Sequence, residues 1–109
     1  MLTPLKSLLS HVLERKSIER GVRAAVILEA ARDVLETLFP KEASAGMVPQ
    51  SFRDGTLLIG VKHPLLGQEV KLRSEALRHG VNDRFSSPPV LRIRLALIRS
   101  RQAEDDMLR

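Results

Sequence analysis

The stretch Phe52-Arg53-Asp54-Gly55-Thr56-Leu57-Leu58-Ile59-Gly60-Val61-Lys62-His63-Pro64 decides how this chain of 109 residues is read. Asp54-Gly55 lies between two apolar runs, the strongest short-range hairpin signal, because both central residues of a type I′ turn need positive φ. Leu57, Ile59 and Val61 alternate with Leu58, Gly60 and Lys62, the period of two that marks a strand with one apolar face. His63-Pro64 ends the strand and opens a helix, since proline at the first helical position gives up no intrahelical hydrogen bond. The sequence therefore predicts strand, tight turn, strand and helix from Met47 onward.

Downstream, Leu66, Val70, Leu77 and Val81 fall on one stripe of a helix that the pattern carries from Pro64 to about Phe85. Ser86-Ser87-Pro88-Pro89 breaks it. Val90 to Ile98 reads as a third strand, with Leu91, Ile93, Leu95 and Leu97 facing the core and Arg92, Arg94 and Ala96 facing out. Upstream, Thr3-Pro4 opens a first helix over residues 4 to 15, its stripe being Leu5, Leu8, Leu9, Val12 and Leu13. Ser17 can cap a second helix from Ile18 to about Phe39, with Ala24, Ile27, Leu28, Ala31, Val34, Leu35 and Leu38 on its apolar side, and Pro40 ends it. Met47 to Arg53 forms the first strand, with Val48 and Phe52 facing one way and Pro49 marking an edge or irregular entry.

Helix, helix, strand, strand, helix, strand is the pattern of an α+β fold, a two-layer sandwich with helices on one face of a three-stranded sheet. Residues 1–98 are expected to form a single domain and 99–109 a polar C-terminal tail. A chain of this length builds one core.

Lysine and arginine total 18 against 13 acids, a net charge of +5, which favours an anionic partner, DNA or RNA before a membrane surface. The three aromatics are Phe39, Phe52 and Phe85, so stacking platforms for splayed bases are nearly absent. No cysteine is present, which removes disulfides, thiolate nucleophiles and cysteine metal sites. No apolar run approaches the roughly 20 residues of a membrane span, and the start Met-Leu-Thr-Pro lacks the features of a secretory leader, so a cytoplasmic protein is expected.

Motifs that carry catalysis are missing from the sequence. His11, His63 and His79 sit on separate elements without a His-x-x-x-His pair, and His63 reads as a cap. Gly60 and Gly67 lack the context of a phosphate loop, no serine sits in a GxSxG turn, and Glu104-Asp105-Asp106 reads as a solvated run. The expectation is a protein that is not an enzyme, with no cofactor, no metal and no small-molecule substrate.

The basic residues carry more information. Arg92 and Arg94 share the outer face of the third strand, Lys62 belongs to the sheet's outward set, Arg53 borders the turn, and Lys71 and Arg78 lie on the polar side of the long helix beside Ser74 and Glu75. These six are the candidate nucleic-acid contacts, a diffuse phosphate-binding surface that positions a strand without reading its sequence. The competing reading is a solvated face with ion pairs such as Glu75 with Arg78 or His79. Spacing alone leaves both open.

Phe52-Arg53-Asp54-Gly55-Thr56-Leu57-Leu58-Ile59-Gly60-Val61, then Leu66-Gly67-Gln68-Glu69-Val70, Leu77 and Val90-Leu91-Arg92-Ile93-Arg94-Leu95, resembles the DciA-like family over roughly residues 5 to 97. The resemblance implies a KH-like fold of the second type without the GxxG phosphate clamp, and no GxxG occurs in this chain. It also implies a bacterial replication accessory protein that binds DNA and helps load the replicative helicase. The shared motif is mostly structural, so it assigns no binding residue. A KH-like RNA-binding factor of ribosome assembly and a plain protein–protein adaptor are the alternatives.

Overall fold

The computed structural model describes residues 3–99, with side chains from Ile18 to Arg99. The elements run α1 (Thr3–Leu38), α2 (Lys41–Ser44), β1 (Met47–Arg53), β2 (Thr56–Val61), α3 (Pro64–Leu72), α4 (Ser74–Asn82) and β3 (Arg92–Leu97). The sheet has the order β1-β2-β3, with β1 antiparallel and β3 parallel to the central strand. All three strands turn one face to the helices. The result is the expected α+β two-layer sandwich.

The hairpin forms as its sequence dictates. Asp54 has φ 51° and Gly55 φ 79°, the pair of positive values that a type I′ turn requires. The Gly55 carbonyl then accepts the N–H groups of Leu91 (2.8 Å) and Arg92 (3.1 Å), so the turn also fixes where β3 begins. His63 caps α3 by accepting the Leu65 N–H on Nδ1 at 3.1 Å, as its place before Pro64 suggests.

Four features differ from the sequence reading. The two N-terminal helices are one, α1, because nothing between Arg15 and Gly21 breaks a helix; a lone glycine costs only about 1 kcal/mol. The apolar stripe of residues 4–15 lies outside the described side chains, and residues 100–109 of the tail lie outside the described residues. The long third helix is two, α3 and α4, parted at Arg73, whose backbone leaves the helical region at φ −110°, ψ 19°. Arg73 is held there by a tertiary contact: Nη1 donates to the Leu38 carbonyl at 2.7 Å and the guanidinium lies 5.4 Å from the Phe39 ring centre.

The third difference is a register shift in β1 between Pro49 and Ser51. It puts Val48 opposite Gly60, on the open face, while Phe52 pairs with Leu57 on the inner face. Val48 and Phe52 therefore face opposite ways, and Met47 takes the buried position at the start of the strand. The fourth is the extent of β3, which spans Arg92–Leu97, with Val90 fully buried before it. Ile93 and Leu95 are half-buried, but Leu91 is 67% and Leu97 54% exposed, against the expectation that both face the core. β3 is an edge strand, and α3 and α4 cover only its middle.

The core joins Ile27, Ala31, Val34 and Leu35 of α1 to Leu57, Ile59 and Val61 of β2 and to Val70, Leu77 and Val81 of α3 and α4. Ile59 is fully buried, so Ile59→Ala is expected to cost roughly 2–5 kcal/mol in urea unfolding. Leu91→Ala is expected to cost less than about 1 kcal/mol. Equal losses at the two positions would contradict the placement of β3.

Candidate nucleic-acid interface

The open face of the sheet is built by strand parity. Arg53, Thr56 and Arg92 form one row across the three strands, and Ser51, Leu58 and Arg94 form the next. A third row is Val48, Gly60 and Ala96, where the side chains of Ile98 and Gln50 close over Gly60 and leave no space for a Cβ. Arg53, Arg92 and Arg94 are exposed and share this face. Thr56, with one arginine on each side, separates Arg53 from Arg92.

The other three candidates are placed elsewhere. Lys62 follows β2 at its far end, exposed, its N–H donating to the Gly46 carbonyl at 2.9 Å. It lies six residue steps beyond Thr56, about 20 Å along an extended strand. Lys71 lies on the helical side of β3. With Ser74, Val70, Ile93 and Leu95 it lines a cleft of about 410 Å³ between the α3–α4 junction and the edge strand.

Arg78 is committed to an acid. Its Nη2 donates to Glu75 Oε2 at 2.8 Å and its Nε to Oε1 at 3.3 Å, and His79 Nε2 lies 3.7 Å from the same carboxylate. The hydrogen bonds and charge of Arg78 hold the Glu75 carboxyl below its ordinary range, and the same contact raises Arg78. The ion-pair reading is correct for Arg78. Among the described residues, Arg53, Lys62, Lys71, Arg92 and Arg94 form no ion pair with an acid.

β3 thus has cationic groups on both sides of an edge that is unpaired among the described residues: Arg92 and Arg94 on the open face, Lys71 above the cleft on the other. The α3–α4 break creates this arrangement by turning Lys71 and Ser74 toward Ile93 and Leu95. The sequence carries no glycine or proline there, so periodicity gives no sign of the cleft. Two further arginines serve the fold: Arg73 at the junction, and Arg84, whose Nη1 lies 3.1 Å from Asp33 Oδ2 on α1.

The residue that positions β3 also escapes pattern reading. Asn82, the last residue of α4, is buried, with Nδ2 donating to the Val90 carbonyl at 2.9 Å and Oδ1 accepting the Val90 N–H at 2.8 Å. Val90 follows Pro88-Pro89, which have no N–H to pair, so the amide side chain supplies the contacts that a neighbouring strand would.

Fold and surface together define a small basic α+β module whose mixed sheet has one open face and one cationic edge. The chain belongs to the DciA family: the family model described as the Dna(CI) antecedent, DciA, matches residues 4–95. A comparison with curated proteins found no match. Membership implies a helicase-loader-like role in DNA replication, with the replicative helicase as partner. Among the described residues no helix is long and apolar enough to cross a membrane, and no cluster of three or more metal-ligating side chains occurs.

Asn82→Ala leaves the Val90 N–H and C=O buried without partners. It is expected to destabilise by about 2 kcal/mol or more and to speed amide exchange in β3 before the rest of the sheet. A loss under about 0.5 kcal/mol would show that β3 is held by other contacts.

Proposed function

We propose that this chain is a non-enzymatic, cytoplasmic accessory of the replicative helicase that binds DNA along the β3 edge. The supporting observation is the pairing of Arg92 and Arg94 on one side of that edge with Lys71 and Ser74 on the other, with no described acid neutralising the three cations. In this reading the fold is KH-like of the second type. KH modules clamp a nucleic-acid backbone with a GxxG loop; at the α3–α4 junction this chain has Lys71-Leu72-Arg73-Ser74 instead. Side-chain cations take over the work of loop N–H groups, and the Ser74 hydroxyl braces the junction by donating to the Lys71 carbonyl at 3.0 Å. Arg53 widens the track across the open face, and Lys62 adds a distant contact for a longer strand.

Such a surface holds phosphates and reads no base edges. Phe39 is buried, and Phe52 and Phe85 are half-buried against the core, so none offers a free ring for stacking. Binding is expected to be salt-dependent and tolerant of sequence. Each neutralised phosphate contributes a log–log salt slope of about −0.7 on a single strand and −0.9 on duplex.

Replacing Arg92 and Arg94 together by Gln is expected to reduce the magnitude of that slope by about 1 to 2 units. The fold should survive, since both side chains are exposed. Arg78→Gln should leave the slope unchanged, because Arg78 is occupied by Glu75. The measurement is a titration of single-stranded and duplex DNA, with structured RNA for comparison, at several salt concentrations. An unchanged slope in the double variant would remove β3 from the surface, and tighter binding to RNA would favour the RNA-binding alternative.

A further inference from the structure

Between Ile18 and Val26, α1 carries an apolar ridge that the sheet does not use. Ile18, Val22 and Val26 are 67%, 59% and 48% exposed, and they recur every four residues. On a helix this spacing forms a continuous ridge of the kind that packs between the ridges of a second helix. The ridge lies about 140° around α1 from the buried stripe of Ile27, Ala31 and Val34, so it points away from the sheet. Two turns later the same face becomes Glu29, Asp33 and Glu36, all exposed. Among the described side chains, the apolar character of this face ends at Val26.

The two flanks of the ridge differ. On one side stand Gly21 and Ala25, both exposed, with open space where a Gly21 Cβ would lie. A glycine inside a helix costs about 1 kcal/mol relative to alanine, and small side chains let another backbone come close. On the other side stand Glu19 and Arg23, opposite charges one turn apart, both exposed.

We propose that α1 is a self-association surface that pairs with α1 of a second copy, antiparallel, about a two-fold axis through Val22. A two-fold interface requires one patch to complement itself. In the antiparallel arrangement each flank meets its own copy. The Gly21–Ala25 sides face each other and allow close approach, while Glu19 of each helix lies opposite Arg23 of the other, about 3 Å apart along the axis at 1.5 Å per residue. A parallel pair would set the charged flank against the small one and form no such pairs. Charge complementarity therefore selects both the occupant and its direction. Two turns per copy bury less than the roughly 1,200 Å² of stable complexes, so the dimer is weak and concentration-dependent.

The chain has no cysteine, so Val22→Cys introduces a single thiol on the proposed axis. Under mild oxidation it is expected to form a covalent dimer much faster than Glu36→Cys, which sits on the same face beyond the ridge; equal rates would overturn the proposal. By sedimentation, the untagged full chain should show a reversible monomer–dimer equilibrium, lost in Val22→Glu with unchanged thermal unfolding. Glu19→Arg or Arg23→Glu alone should weaken the dimer, and the two together should restore it; failure of the double exchange to restore it would also overturn the proposal. A wild type that stays monomeric at the highest soluble concentration would overturn it and leave the ridge to a partner of another kind.

Discussion

The hydrogen bonds between the Asn82 amide and the backbone of Val90 are the constraint on which the placement of β3 depends. They join the end of α4 to the approach of β3, at a point where Pro88-Pro89 can make no ladder bond. One residue further, the Gly55 carbonyl takes the N–H groups of Leu91 and Arg92. Between them these contacts set the register of β3 on β2, and the register decides which side chains reach the open face. A slip of one residue would turn Arg92 and Arg94 into the core and expose Ile93 and Leu95.

Much of this was legible in the residues. Asp54-Gly55 could only be a tight turn, the alternation from Leu57 to Val61 fixed the buried face of β2, and the alternation in β3 put Arg92 and Arg94 outside. What was not legible depended on contacts distant in sequence. Arg73 parts α3 from α4 through Leu38 and Phe39, 35 and 34 residues away, with no glycine or proline to announce it. The shift between Pro49 and Ser51 reverses Val48, and Asn82 looks like any polar residue near a helix end. Arg78 could equally have been a free cation, because an i,i+3 acid is common on solvated helices; only geometry assigns it to Glu75.

Five of the six candidate cations have no acidic partner among the described residues. The sheet and helices separate them into a pair on the edge strand with Lys71 across from it, Arg53 beyond Thr56, and Lys62 at the far end. In the proposed reading, an accessory of a DNA helicase has reason to hold a strand loosely. Phosphate contacts give grip that salt and a competing protein can release, whereas base readout would tie it to particular sites. The lack of a ring free for stacking and a surface spread along one edge suit that task. The ridge on α1 points away from the sheet that carries this edge.

The central claim is that nucleic acid follows the β3 edge, and backbone amide spectroscopy of the labelled protein titrated with a short single-stranded oligodeoxynucleotide at low salt tests it most directly. The account predicts that the largest shifts fall on Lys71 to Ser74 and on Arg92 to Leu95, with smaller ones at Arg53 and Thr56 and little change along β1 from Met47 to Gln50. Shifts concentrated on the β1 edge or on the exposed face of α1, with β3 unmoved, would contradict it.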